Sequence, residues 1–236
     1  MQYIMRDRLF LISGILGLGA LAMTLMLAFI GPRQTGPLPP GFITPVMAFE
    51  FAESQKEVYH LFEPGGAAEA MDRVNRWDFL YMTFYSLFLG TFALAAGRRT
   101  GRAIFYIAAV VALIVLYADA LENVQLLGLT MKMRMDGGSL RAALERLHVY
   151  TWLKWGGLAF YFLLIAAYFR GLPGRWRNVW LVALLPALLA VVALFRRGLP
   201  NELMALSIGV MFLLLTIYAL GWGAGEKGRK GAGVML

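Results

Sequence analysis

The chain has 236 residues, 60% of them hydrophobic and 15% charged, with a mean hydropathy of +0.66; this balance excludes an ordinary soluble domain and fits a polytopic membrane protein. The net charge is +8, yet the basic residues fall in short links between apolar runs rather than in one patch, which argues against a nucleic-acid partner. Cysteine is absent, so disulfides, thiolate metal centres and Cys nucleophiles are excluded.

In chain order, Leu9 to Ile30 is the first run long enough to cross about 30 Å of hydrocarbon. It is longer than the apolar core of a signal peptide and ends in no small-x-small cleavage site, so it reads as a retained span. The link from Gly31 to Arg76 opens with the turn-rich "GPRQTGPLPPG". Thr44 as N-cap and Pro45 at the first helical position then predict a helix that runs to Phe62 and stops at "EPGG". Met47, Phe51, Val58, Leu61 and Phe62 recur at helical spacing. The segment 44–62 is therefore expected to be one amphipathic helix on the outer membrane face, capping the bundle. A second short helix, Ala67 to Arg76, is expected to lead into the next span.

Five further runs follow: Trp77 to Ala96, Ala103 to Leu129, Leu147 to Phe169, Val179 to Phe195 with Pro186 inside, and Leu203 to Trp222. Backbone polar groups in lipid must be satisfied internally, and the length and lack of alternation of these runs select helices. The expectation is an all-α integral membrane bundle: a six-helix transmembrane domain over 1–222, followed by a mobile cytoplasmic tail over 223–236. Proline is expected to kink the fifth span, and Asn201 to cap the sixth. Ser13 with Gly17, and Gly156 with Gly157, would allow close helix approach.

Basic residues in "MQYIMRDR", "GRRTGR", "RGLPGRWR" and "EKGRK" share one side of an alternating six-helix chain. That side holds eleven Lys and Arg against ten on the other, so the short loops set the orientation: both termini cytoplasmic, the 31–76 link outside.

The third span carries Asp119, Glu122 and Asn123 at i, i+3 and i+4, one helical face. Charge at that depth costs about 2.5–3.5 kcal/mol on insertion scales, so such groups turn inward and find a partner. Lys154 in "LHVYTWLKW" lies at matching depth on the returning fourth span and is the expected counter-ion. His148 stands above it, and Asp78 opens the second span with Tyr81 and Tyr85 on a neighbouring face. Glu50 and Trp152 complete the ring of candidates.

The tract "DALEN", together with "WDFLYMTFYS" and "MAFEFA", resembles tracts in small uncharacterised bacterial multi-pass proteins carrying D-x-x-E-N, over about the first two thirds of the chain. The resemblance implies a bacterial inner-membrane protein and no particular activity.

Asp119, Glu122 and Lys154 are the catalytic candidates, because two carboxylates beside one lysine suit proton transfer. Asn123, Asp78, Glu50, His148, Tyr81, Tyr85 and Trp152 are the substrate-binding candidates. Glu50, Asp78, Asp119 and Glu122 with His148 are metal-ligand types without a diagnostic spacing, so no metal or cofactor is assigned. The leading expectation is a polar pocket that binds or processes a lipid-like amphiphile. The alternatives are an accessory subunit whose polar network orders helices, and a proton-coupled transporter, which the absence of charge in the inner half of the spans weakens. Membrane lipids are the expected partners, with a membrane-protein partner or a second copy for the accessory role. No nucleophile motif or nucleotide-binding glycine loop fixes a reaction.

Overall fold

A computed structural model describes residues 2–135 and 138–231, with side chains over 8–135 and 138–221. The described chain is all-helical: α1 (Gln2–Ile30), α2 (Pro45–Glu50), α3 (Gln55–Leu61), α4 (Ala67–Thr100), α5 (Ala103–Arg134), α6 (Arg141–Arg170), a 3₁₀ turn (Gly174–Asn178), α7 (Val179–Phe195) and α8 (Leu199–Gly231). Six of these are long and apolar enough to cross a membrane. The protein is a multi-pass membrane protein built as a six-helix bundle.

The spanning helices pack in sequence order, and α1 closes the ring against α8. Aromatic side chains fill the middle. Phe88 meets Phe212 at 5.8 Å between ring centroids, Phe162 meets Phe212 at 6.1 Å and Phe10 meets Phe92 at 5.4 Å; all five rings are buried. Two glycines set helix separations. A Cβ at Gly157 would meet Val115 of α5 at 2.6 Å, and one at Gly17 would collide with Thr216 and Phe88, whereas Gly156 faces open space. Ser13 ties α1 to α4 by donating to the Phe88 carbonyl, 3.1 Å. At the end where α4 and α6 finish, Arg99 donates to the hydroxyls of Tyr168 and Tyr218, each at 3.1 Å.

The opposite end is capped. The expected single helix over 44–62 is instead two, α2 and α3, separated at residues 51–54. Ser54 starts a new N-cap by accepting from Glu57 N–H, and the Glu57 carboxylate reaches back to Glu53 N–H at 2.9 Å; this reciprocal capping breaks the first helix. Nor do the pair lie with an apolar face on lipid: Met47, Ala48, Phe49, Glu50, Val58 and Leu61 are buried against the bundle. Thr44 does cap α2. Glu202 of α8 holds that cap, accepting from Ile43 N–H at 2.9 Å and Thr44 N–H at 2.8 Å.

Residues 67–76 form the first turns of a continuous α4, so the short helix expected there does run into the second span. Asn201 does not cap α8, which begins at Leu199; its Oδ1 accepts from Gly198 N–H at 2.8 Å. Helix α7 runs through Pro186. Backbone 223–231 continues α8, while residues 232–236 of the expected tail, and the Trp222 side chain, lie outside the described residues.

Candidate functional site

Helix α5 brings Asp119, Glu122 and Asn123 to one inward face, at 2%, 0% and 2% exposure. Helix α6 presents Thr151, Lys154 and Trp155 to them, and α2 lowers Glu50 from above. The Lys154 ammonium, 5% exposed, lies 3.0 Å from Glu50 Oε1 and 3.4 Å from Asp119 Oδ1, and is also paired with Glu122. Lys154 therefore does not choose between Asp119 and Glu122. It gathers both, with Glu50 as a third acid, and sits 5.0 Å from the Trp155 ring centroid.

Neutral donors complete the shell. Tyr85 of α4 donates to Asp119 Oδ2 at 2.5 Å, and Trp155 Nε1 donates to Glu50 Oε2 at 2.7 Å. Thr151 Oγ1 lies 2.6 Å from Glu122 Oε1 and 3.1 Å from the Glu50 carbonyl. A hydroxyl carries one proton, so both contacts are satisfied together when a proton on Glu122 Oε1 is donated to Thr151 and Thr151 donates onward to Glu50. Asp119 Oδ1 and Glu122 Oε2 accept no hydrogen bond and meet only ion-pair contact with Lys154.

Asn123 extends the cluster to Asp78, its Nδ2 donating to Asp78 Oδ2 at 2.6 Å. Tyr81 stacks edge-on against Tyr85 at 5.2 Å, and its hydroxyl accepts from Thr24 of α1. Glu50 lies outside the spanning segments: burial raises its carboxyl above the ordinary carboxylate range, Lys154 opposing and Asp119 adding to the rise.

Two expected members stand apart. His148 is exposed and stacks at 6.4 Å on Trp152 at the edge of the cap, because it lies on the side of α6 turned away from α5. Trp152 props the cap, edge-to-face on Phe51 at 5.5 Å. His148 and Trp152 instead line a groove of about 600 Å³ with Phe51, Glu53 and Arg197. Among the described residues no group of three or more His, Asp or Glu is arranged to hold a metal ion.

Sequence reasoning offered Trp155 only as a pocket-lining aromatic beside Trp152, and it missed Thr151, whose i−3 position on the face of Lys154 carried the signal. It also missed Arg197, which clasps α3 from the α7–α8 turn at 3.0 Å from Glu53 and 2.6 Å from Glu57. Burial works to raise the Glu57 carboxyl, but the Arg197 hydrogen bond and the backbone donors outweigh it and leave it below its ordinary value. A further unforeseen pairing binds α4 to α5: Asp72 accepts from Thr130 at 2.6 Å and from Arg134 at 2.5 Å.

No protein-family model matches this chain, and no curated protein or solved structure is significantly similar to it.

Proposed function

We propose that the protein binds and processes the polar end of a lipid-like amphiphile at its capped end. Asp119, Glu122 and Glu50 exchange protons with that group, Lys154 binds its developing negative charge, and Asn123, Asp78, Tyr81 and Tyr85 orient it. One observation carries the reading: a single buried ammonium is shared by three buried carboxyl groups, with Asp78 a fourth through Asn123. A purely structural network is stable when charges match, whereas surplus acid in a dry site holds exchangeable protons. Groups that keep and pass protons beside a fixed cation are the parts general acid–base chemistry needs. The aromatic middle of the bundle supports one-sided chemistry rather than proton-coupled transport.

The basic loops support a bacterial inner-membrane protein with both termini cytoplasmic and the cap on the extracytoplasmic side.

The test is lipid mass spectrometry of membranes from cells making the wild type, Asp119→Asn, Glu122→Gln or Lys154→Met. The wild type should deplete one amphiphile and accumulate another, and Asp119→Asn, present in membranes at wild-type amounts, should not. Indistinguishable lipid profiles with wild type and Asp119→Asn would overturn the reading.

A second reading, an accessory subunit, is favoured by the way the cluster cross-links α2, α4, α5 and α6. It requires a stoichiometric protein partner, or a second copy, retained in mild detergent, and cluster variants that lose stability without changing any lipid.

A further inference from the structure

At the uncapped end the described side chains include Arg8, Arg98, Arg99, Arg102, Arg170, Arg175 and Arg177, and no Asp or Glu. Among the described residues, Arg170, Arg175 and Arg177 make no ion pair, and all three are exposed. At the capped end, by contrast, Arg134, Arg141 and Arg197 each face a carboxylate of the protein.

The α6–α7 link is held rigidly beside this charge. Trp176, in the 3₁₀ turn, is pinned edge-on against Tyr218 at 5.0 Å and beside Phe169 at 6.5 Å. Arg175 lies with its Cζ 5.7 Å from the Trp176 ring, and Arg170 lies at the same distance from Trp180. Beneath Arg175 a groove of about 330 Å³ opens on the lipid-facing side, lined by Arg175, Trp176, Val179, Leu214 and Ile217. It has a guanidinium at the rim, an indole at the interface and branched aliphatic walls below. Its volume is at the low end for a ligand site and suits a headgroup with the start of an acyl chain.

We propose that this groove between the 174–178 turn, α7 and α8 binds an anionic glycerophospholipid, with its phosphate on Arg175 and an acyl chain along Val179, Leu214 and Ile217. Guanidinium matches phosphate oxygens two at a time, and Arg170 and Arg177 supply the surrounding positive field. The class is anionic because the groove lies among three exposed arginines, Arg170, Arg175 and Arg177, none of them in an ion pair among the described residues, and a net negative lipid answers that field. The site is separate from the acid cluster: Tyr85, which touches the cluster, and Arg99 are fourteen residues apart on α4, about 21 Å along the helix.

The experiment reconstitutes the full chain in nanodiscs of equal phosphatidylglycerol and phosphatidylcholine, then counts retained lipids by native mass spectrometry. Wild type should retain phosphatidylglycerol preferentially, and Arg175→Gln should reduce that preference about fivefold, the worth of one arginine near an anionic surface. Arg196→Gln removes the same charge from an exposed site at the opposite end and should leave the preference unchanged. Equal retention of the two lipids by wild type, or equal losses in the two variants, would overturn the proposal.

Discussion

The two ends of this bundle handle charge in opposite ways. At the capped end the protein supplies counter-charges to its buried and half-buried cations: Lys154 inside three carboxylates, Arg197 inside Glu53 and Glu57, Arg134 against Asp72. At the other end Arg170, Arg175 and Arg177 are exposed and make no ion pair among the described residues. Where the counter-charge belongs to the fold, removing a partner strands a charge in a dry place. Where it belongs to the surroundings, removing the charge alters what the surface attracts and leaves the fold alone.

The sharpest break of that contrast is Lys154→Met. It leaves Glu50, Asp119 and Glu122 without a cation, and stripping one partner from a buried set costs about 3–5 kcal/mol; unfolding in mild detergent should show a loss of that size. Adding Glu122→Gln should recover part of it, because the two positions are coupled. Arg175→Gln, in the same assay, should stay within about 0.5 kcal/mol of wild type. A Lys154→Met protein as stable as wild type would erase the distinction between the ends.

Next in size is the clasp. Arg197→Gln should cost about 1 kcal/mol, since its pair is only partly buried. The Glu57 carboxyl is held below its ordinary value in the folded protein. Its contribution is thus fully present above that ordinary value and is lost as pH falls through the lowered one. Unfolding midpoints of wild type and Arg197→Gln should therefore converge on acidification, and a gap that widens toward acid would contradict the assignment. The smallest effect belongs to the exposed Arg141–Glu145 pair, with side chains 86% and 64% accessible. Arg141→Ala should change stability by about 0.3 kcal/mol, and a loss above about 1 kcal/mol would show that burial does not govern these pairs.

The spans were legible because lipid imposes a length and an apolar composition that few other constraints mimic. The acid cluster was legible for a related reason: Asp119, Glu122 and Asn123 share a helical face, and lipid forbids that face to them. Lys154 followed from depth along an antiparallel neighbour. Glu50 was found from its place on the cap, although that cap is two helices and not one; Ser54 followed by Glu57 was a local capping signal that the apolar periodicity on either side obscured. His148 misled because depth alone does not give helix rotation, and its face of α6 turns away from α5. Arg197 was invisible since nothing local in "RRGLP" says which distant carboxylates a turn will meet.

Glu202 and Arg197 fasten the roof of the acid chamber, yet they lie 158 and 140 positions after the Thr44 and Glu57 groups they hold. A chain leaves the ribosome N-terminus first, so Glu50, Asp119 and Lys154 are all synthesised before either fastening exists. The chamber is thus assembled unroofed, and its closure waits for the sixth span to enter the bilayer.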